Sequence, residues 1–328
     1  MVFHEKLFKR GTVPVAPLMG LPGIHLTYTT VKENLENAEV QFETIKKLKE
    51  RFEPDIVFPF MDLSVEAEAL GLEIKKPDNE SFSVKEHPIK SIEALKQLSI
   101  PDPNSTRLSV FVETIKKMRQ EFTDTPNAAY IIGPYSLAGL LSGTENTAMN
   151  TIMQPEFLHE SLKFATKVIE VYGNALIEAG ADCICILEPA GSLLSPQMFE
   201  EFAGNYIKEL KQSWSSPVFL HICGNTTNII PKMLETGCDG LSLDTHVDLI
   251  SIKENIPVNK LIIGNINPVA TIAYGSKEDV EKEANALIEG MRDRKNFVLS
   301  SGCDIPADAK LDNIQAMFDV ARKYDIGG

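Results

Sequence analysis

Eight short apolar runs, separated by longer amphipathic stretches, recur from one end of the sequence to the other. They fall at 14–19, 55–61, 128–132, 183–187, 218–223, 240–243, 261–266 and 297–301. Most are rich in Val, Ile, Leu and Phe on both faces, as parallel strands buried on two sides should be. Between them, 38–51, 109–121, 156–179, 196–214, 227–235, 277–292 and 307–324 carry helical patterns. Ser195 before Pro196 is an N-cap with proline at the first helical position, and Gly180 and Gly237 stand where C-terminal caps belong. Eight strand–helix units predict an α/β chain folded as a (β/α)8 TIM barrel, one domain over residues 1–328. A doubly wound open sheet is the rival. Residues 72–103 break the rhythm with Pro77, Pro88, Pro101 and Pro103 among charges, and read as a surface excursion.

The charge narrows the function. Lys and Arg number 32 against 46 Asp and Glu, a net charge of −14, so nucleic acid and anionic membranes are repelled. No run approaches the roughly 18 uninterrupted apolar residues of a membrane span. Residues 1–11 carry no long apolar stretch after their charges, so no signal peptide is expected. Five cysteines, too sparse for a disulfide scaffold, point to a reducing compartment. The expectation is a cytoplasmic, acidic enzyme, its oligomeric state open.

The sharpest local feature is His221-Ile222-Cys223-Gly224. Residues two apart on a strand share a face, so His221 and Cys223 can converge at the carboxyl end of their strand, where barrels build active sites. Cys303 occupies the equivalent place after the last strand. One imidazole and two thiolates form a soft, tetrahedral set suited to zinc, with a fourth position left over. A short His-x-Cys also recurs by chance, and free cysteine is often simply packed. Glu188 is the candidate fourth ligand: if Ile184, Ile186 and Glu188 face the barrel interior, it reaches the rim of His221, while Cys183 and Cys185 pack against helices. Cys238 sits at a helix-to-strand junction and reads as structural. Asp62 and Asp244 at strand ends could be acids, partners of His221 or helix N-caps. His246, Tyr135, Asn265 and Asn267 are further strand-end polar groups. The Gly133–Gly139 turn could offer backbone N–H groups to an anion.

These stretches together resemble the uroporphyrinogen decarboxylase superfamily, and within it the methylcobamide:coenzyme M methyltransferase branch. The resemblance rests on Asp62-Leu63-Ser64-Val65-Glu66-Ala67-Glu68-Ala69-Leu70-Gly71, the Gly133–Gly139 turn, Glu188-Pro189 with Ser195-Pro196, His221-x-Cys223-Gly224, Gly264-Asn265-Ile266-Asn267-Pro268 and Gly302-Cys303-Asp304. It implies a (β/α)8 barrel with zinc on His221, Cys223 and Cys303. It also implies transfer of a methyl group from methylcobalamin on a corrinoid protein to a small thiol such as coenzyme M. Glu188 and Asp62 would then be catalytic, and Tyr135, Asp244 and Asn265 substrate-binding. Decarboxylation of a porphyrinogen, or methyl transfer to a pterin, is the alternative. The decarboxylases resemble one another in an arginine-rich N-terminal run, and Pro17-Leu18-Met19-Gly20-Leu21-Pro22-Gly23-Ile24-His25 has no arginine. No arginine falls at a predicted strand end either.

Overall fold

Six of the eight apolar runs form one sheet: β1 (Ala128–Ile132), β2 (Cys183–Leu187), β3 (Val218–Ile222), β4 (Gly240–Leu243), β5 (Leu261–Ile266) and β6 (Phe297–Ser301). The structure, a computed structural model, describes residues 3–326. Each strand pairs in parallel with the next one in sequence. That consecutive order fits a barrel and not a doubly wound sheet, whose strand order reverses at a switch point.

The runs 14–19 and 55–61 are not regular strands, which corrects the sequence expectation. Each makes one parallel bridge, Val15 with Leu299 and Val57 with Asn127. Pro14, Pro17, Pro54 and Pro59 are the cause, because proline has no N–H to give a ladder. Hydrogen bonds still carry the sheet around. Ala16 N–H donates to Leu299 O at 2.9 Å, Asp55 N–H to Val15 O at 2.8 Å and Ala128 N–H to Val57 O at 2.9 Å.

Ala16, Leu18, Ile56, Phe58, Tyr130, Cys183, Cys185, Leu187, Phe219, Ile263 and Val298 pack together as the barrel interior. Ile184 and Ile186 instead join the larger core shared with the surrounding helices. The expected facing of β2 is therefore reversed: the two cysteines point inward and the Glu188 parity points outward. Both faces of this strand are apolar, so composition could not tell them apart. The helix Phe3–Leu7 stoppers the amino-terminal mouth, with Leu7 in the interior cluster and Phe3 edge-on to Phe219 at 5.7 Å.

Among the helices, Ala38–Phe52, Leu108–Glu121 and Pro155–Ala179 follow expectation closely. The expected helix 196–214 is interrupted by a wider π turn over Glu200–Gly204. The expected turn after β1 is itself helical, Pro134–Ser142, and leads to another helix, Thr144–Met153. Within 72–103 lie a small hairpin, Ile74–Lys75 with Ser83–Val84, and a helix, Ile92–Leu95. Ile74, Phe82, Ile89 and Leu95 turn inward, so the excursion is packed down on the core. Among the described residues no helix is long and apolar enough to cross a membrane.

Candidate metal centre

His221 faces Leu187 on one neighbouring strand and Ser242 on the other. It is buried, and its side chain follows Phe219 into the barrel by the period of two. Its Nδ1 lies 3.0 Å from the Ser242 hydroxyl, and its Nε2 lies 3.1 Å from Cys223 Sγ. Cys303 reaches over from the loop after β6, its Sγ 3.3 Å from that of Cys223. Gly302 permits this crossing: a Cβ there would stand 2.5 Å from the backbone nitrogen of Thr245. The imidazole and both sulfurs lie within 4.8 Å of one another. A tetrahedral ion with bonds of about 2.0–2.3 Å needs its donors less than roughly 4 Å apart, so the set fits zinc with little adjustment.

The two thiols titrate as a pair. The hydrogen bond with Cys303 holds Cys223 below its usual range despite burial, while the same bond and burial push Cys303 up. Of the two, Cys223 gives up its proton before Cys303, and a divalent ion binding both would displace the two protons. Around the sulfurs sit Asp304, raised well above the carboxylate range by burial and then by Cys303, and Tyr130, raised by burial and then by Cys185 and Asp304.

The other expected residues divide. Asp244 is buried and follows β4; burial pushes its carboxyl up, but hydrogen bonds from the Gly224 and His246 N–H groups and from the His246 ring hold it below the usual range. His246 Nδ1 lies 2.6 Å from the carboxylate. Since Gly224 follows Cys223, Asp244 braces the turn beside one of the two converging thiols. Asn265 donates to the Asp244 and Val247 carbonyls at 2.9 and 2.7 Å, tying that loop to β5. Asn267 caps the turn after β5, accepting from Val269 and Ala270 N–H.

Glu188 is not among the converging donors of the described residues. Its buried carboxylate accepts from the N–H groups of Tyr135 at 3.0 Å and Ser136 at 2.6 Å. Gly133 makes room, since a Cβ there would be 2.3 Å from Glu188 Oε2. The N–H groups expected to receive an anion are thus already taken by one. Burial raises the Glu188 carboxyl to about 7 against the pull of Ser136 and Tyr135. Tyr135 is buried and its hydroxyl has no partner among the described residues; burial and then Glu188 raise it to about 12.

Asp62 is buried at the rim. One oxygen accepts from the Ser64 N–H and hydroxyl, both at 2.7 Å, and the other takes Arg107 Nη1 at 2.6 Å. Arg107 also pairs with Glu68, and beside them Glu66 accepts from Ile132 N–H at 2.9 Å. Burial raises Glu66 to about 7. Sequence reasoning missed Arg107, which precedes the helix Leu108–Glu121 and not a strand end. It also missed Ser242, Glu66, Tyr130 and Asp304 as site residues; only strand register could have found Ser242.

Residues 12–324 match the family described as uroporphyrinogen decarboxylase (URO-D). The chain is 31% identical to a methylcobamide:CoM methyltransferase of Methanosarcina acetivorans over 94% of both chains. It is 27% identical to a uroporphyrinogen decarboxylase of Prochlorococcus marinus over 90% of this chain and 87% of that one. A solved methyltransferase from Methanosarcina mazei superposes with a TM-score of 0.88 at 27% identity, covering 98% of each chain. A B12-independent methionine synthase from Shewanella, at 16% identity and a TM-score of 0.65, shares the fold. With its barrel order and a match spanning nearly all of its length, the chain belongs to the uroporphyrinogen decarboxylase family.

Proposed function

We propose that this chain moves a methyl group from a methylated corrinoid on a partner protein to a small thiol of the coenzyme M type, using zinc held by His221, Cys223 and Cys303. The convergence of one imidazole and two thiols within 4.8 Å, in a chain similar to methylcobamide:CoM methyltransferases, carries this reading. Zinc, when bound, supplies a Lewis acid that keeps a thiol substrate deprotonated near neutral pH. The protein's own groups prepare the place. With Nε2 of His221 given to zinc, Nδ1–H would donate to the Ser242 hydroxyl and hold the ring toward the two sulfurs. Cys223 and Cys303 supply negative charge, so the held thiol retains nucleophilicity. Asp244 and Asn265 fix the loop behind Cys223. Asp62, held by Arg107, and Glu188, held by the helix at Tyr135, keep the rim in shape by positioning and not by ligation.

Metal analysis of purified protein tests the zinc site: about one zinc per chain, lost in Cys223→Ser and Cys303→Ser, is expected. A folded wild type that binds no zinc overturns it. Methylcobalamin demethylation with a thiol panel tests the reaction. The similarity to uroporphyrinogen decarboxylases supports a second reading, carboxylate loss from a porphyrinogen. That activity, retained in Cys223→Ser without methyl transfer by the wild type, would replace the first.

A further inference from the structure

The barrel's opposite end holds a cavity unconnected with the metal centre. Phe297 opens β6, so the cavity it lines with Val13 lies at the amino ends of the strands, whereas Cys303 follows the carboxyl end. Its volume is about 580 Å³, within the range of small-molecule sites. Val13, Ile288, Met291 and Phe297 give it an apolar wall. Arg292, Arg294, Lys295 and Lys323 ring that wall, with Asp325 as the one acidic lining group. In a chain of net charge −14, four cations around one apolar hollow run against the general field.

Arg294 shows that this is more than a loose surface cluster. It is only 8% exposed, its Nη2 donates to the Ile256 carbonyl, and Glu254 stands 3.5 Å from Nη1. Its Nε–H has no partner among the described residues. That side chain is anchored through its guanidinium to Ile256 and Glu254, so Arg294 adds a fixed positive charge to the wall beside the exposed Lys295 and Lys323. Glu289, 3.5 Å from Arg292, offsets part of the positive charge but does not line the hollow.

We propose that this cavity is a second binding site, for a small amphipathic anion: an apolar body bearing a sulfonate, carboxylate or phosphate. The body would lie on Tyr324 and Ile326, the partly exposed apolar groups of the lining, and the anionic group would face Lys295 and Lys323. The proposal is independent of the methyl-transfer reading, since no residue of the metal centre takes part.

The test is a fluorescence titration of the full chain with anilinonaphthalenesulfonate, beside its uncharged analogue phenylnaphthylamine. Saturable one-to-one binding of the sulfonate is expected, with the uncharged probe weaker by tenfold or more. The double variant Lys295→Glu, Lys323→Glu changes two exposed side chains and should keep the wild-type melting temperature while weakening the sulfonate at least tenfold. Cys223→Ser should leave its affinity unchanged. Equal binding of both probes, an unsaturable signal, or less than a twofold change in the double variant would overturn the site.

Discussion

His221 and Ser242 are register partners on adjacent strands, and their side chains meet at 3.0 Å inside the barrel. The hydroxyl is buried, so it has no competing water and holds one orientation of the ring. Ser242→Ala should leave the fold intact and weaken zinc about 10- to 100-fold, as removal of a ligand's hydrogen-bond partner does elsewhere. Competition with a colorimetric chelator measures this, and a change under threefold would remove Ser242 from the site.

The five cysteines should separate into two groups. Cys183, Cys185 and Cys238 are buried, whereas Cys223 and Cys303 are partly exposed. Chelator-treated native protein should therefore react with two equivalents of a thiol reagent, Cys223 first, and denatured protein with five. Zinc should protect both. Fast reaction of a third thiol in the folded state would contradict the packing of β2.

Glu66 and Glu188 make stability depend on pH in a defined direction. Both titrate near 7 in the folded chain against 4.5 for the free group. Folded protein therefore binds more protons than unfolded between these values. Stability is fully present below 4.5 and falls as pH rises to about 7, by on the order of 3 kcal/mol for each group. Glu188→Gln should flatten this slope and cost roughly 1–3 kcal/mol, because its amide presents a donor to an N–H donor. Urea unfolding of both proteins from pH 5 to 8 reads the difference; identical slopes would refute it.

Asp62 is buried against the Arg107 guanidinium, and without its charge Arg107 keeps only Glu68 as an ionic partner. Asp62→Asn should destabilise the chain by about 3–5 kcal/mol. Adding Arg107→Met should recover part of that loss. Additive costs in the double variant, from the same unfolding curves, would show that the two side chains do not depend on each other.

Much of this was legible in the residues. Strands β1 to β6 stand out because parallel strands covered on both sides are apolar throughout. The same property hid the facing of Cys183 and Cys185, since neither face carried a polar mark. Prolines disguised the first two runs, which keep their apolar side chains but lack the N–H groups of a ladder. His221 and Cys223 are neighbours in sequence and declared themselves; Cys303 followed from strand-end placement and family likeness. Ser242 and Arg107 were invisible because their partners lie 21 and 45 residues away, and nothing local marks either one.

The ring is thus unevenly knit. Cys223 and Cys303 hang from β3 and β6, inside an unbroken arc of paired strands, while Asp62 follows a run tied by a single bridge. Two kinds of anchorage meet at one mouth: the donor atoms hang from laddered strands, and Asp62 is held by side-chain bonds to Ser64 and Arg107. A substitution that removes Arg107 should therefore disturb Asp62 and leave the spacing of the donors as it is.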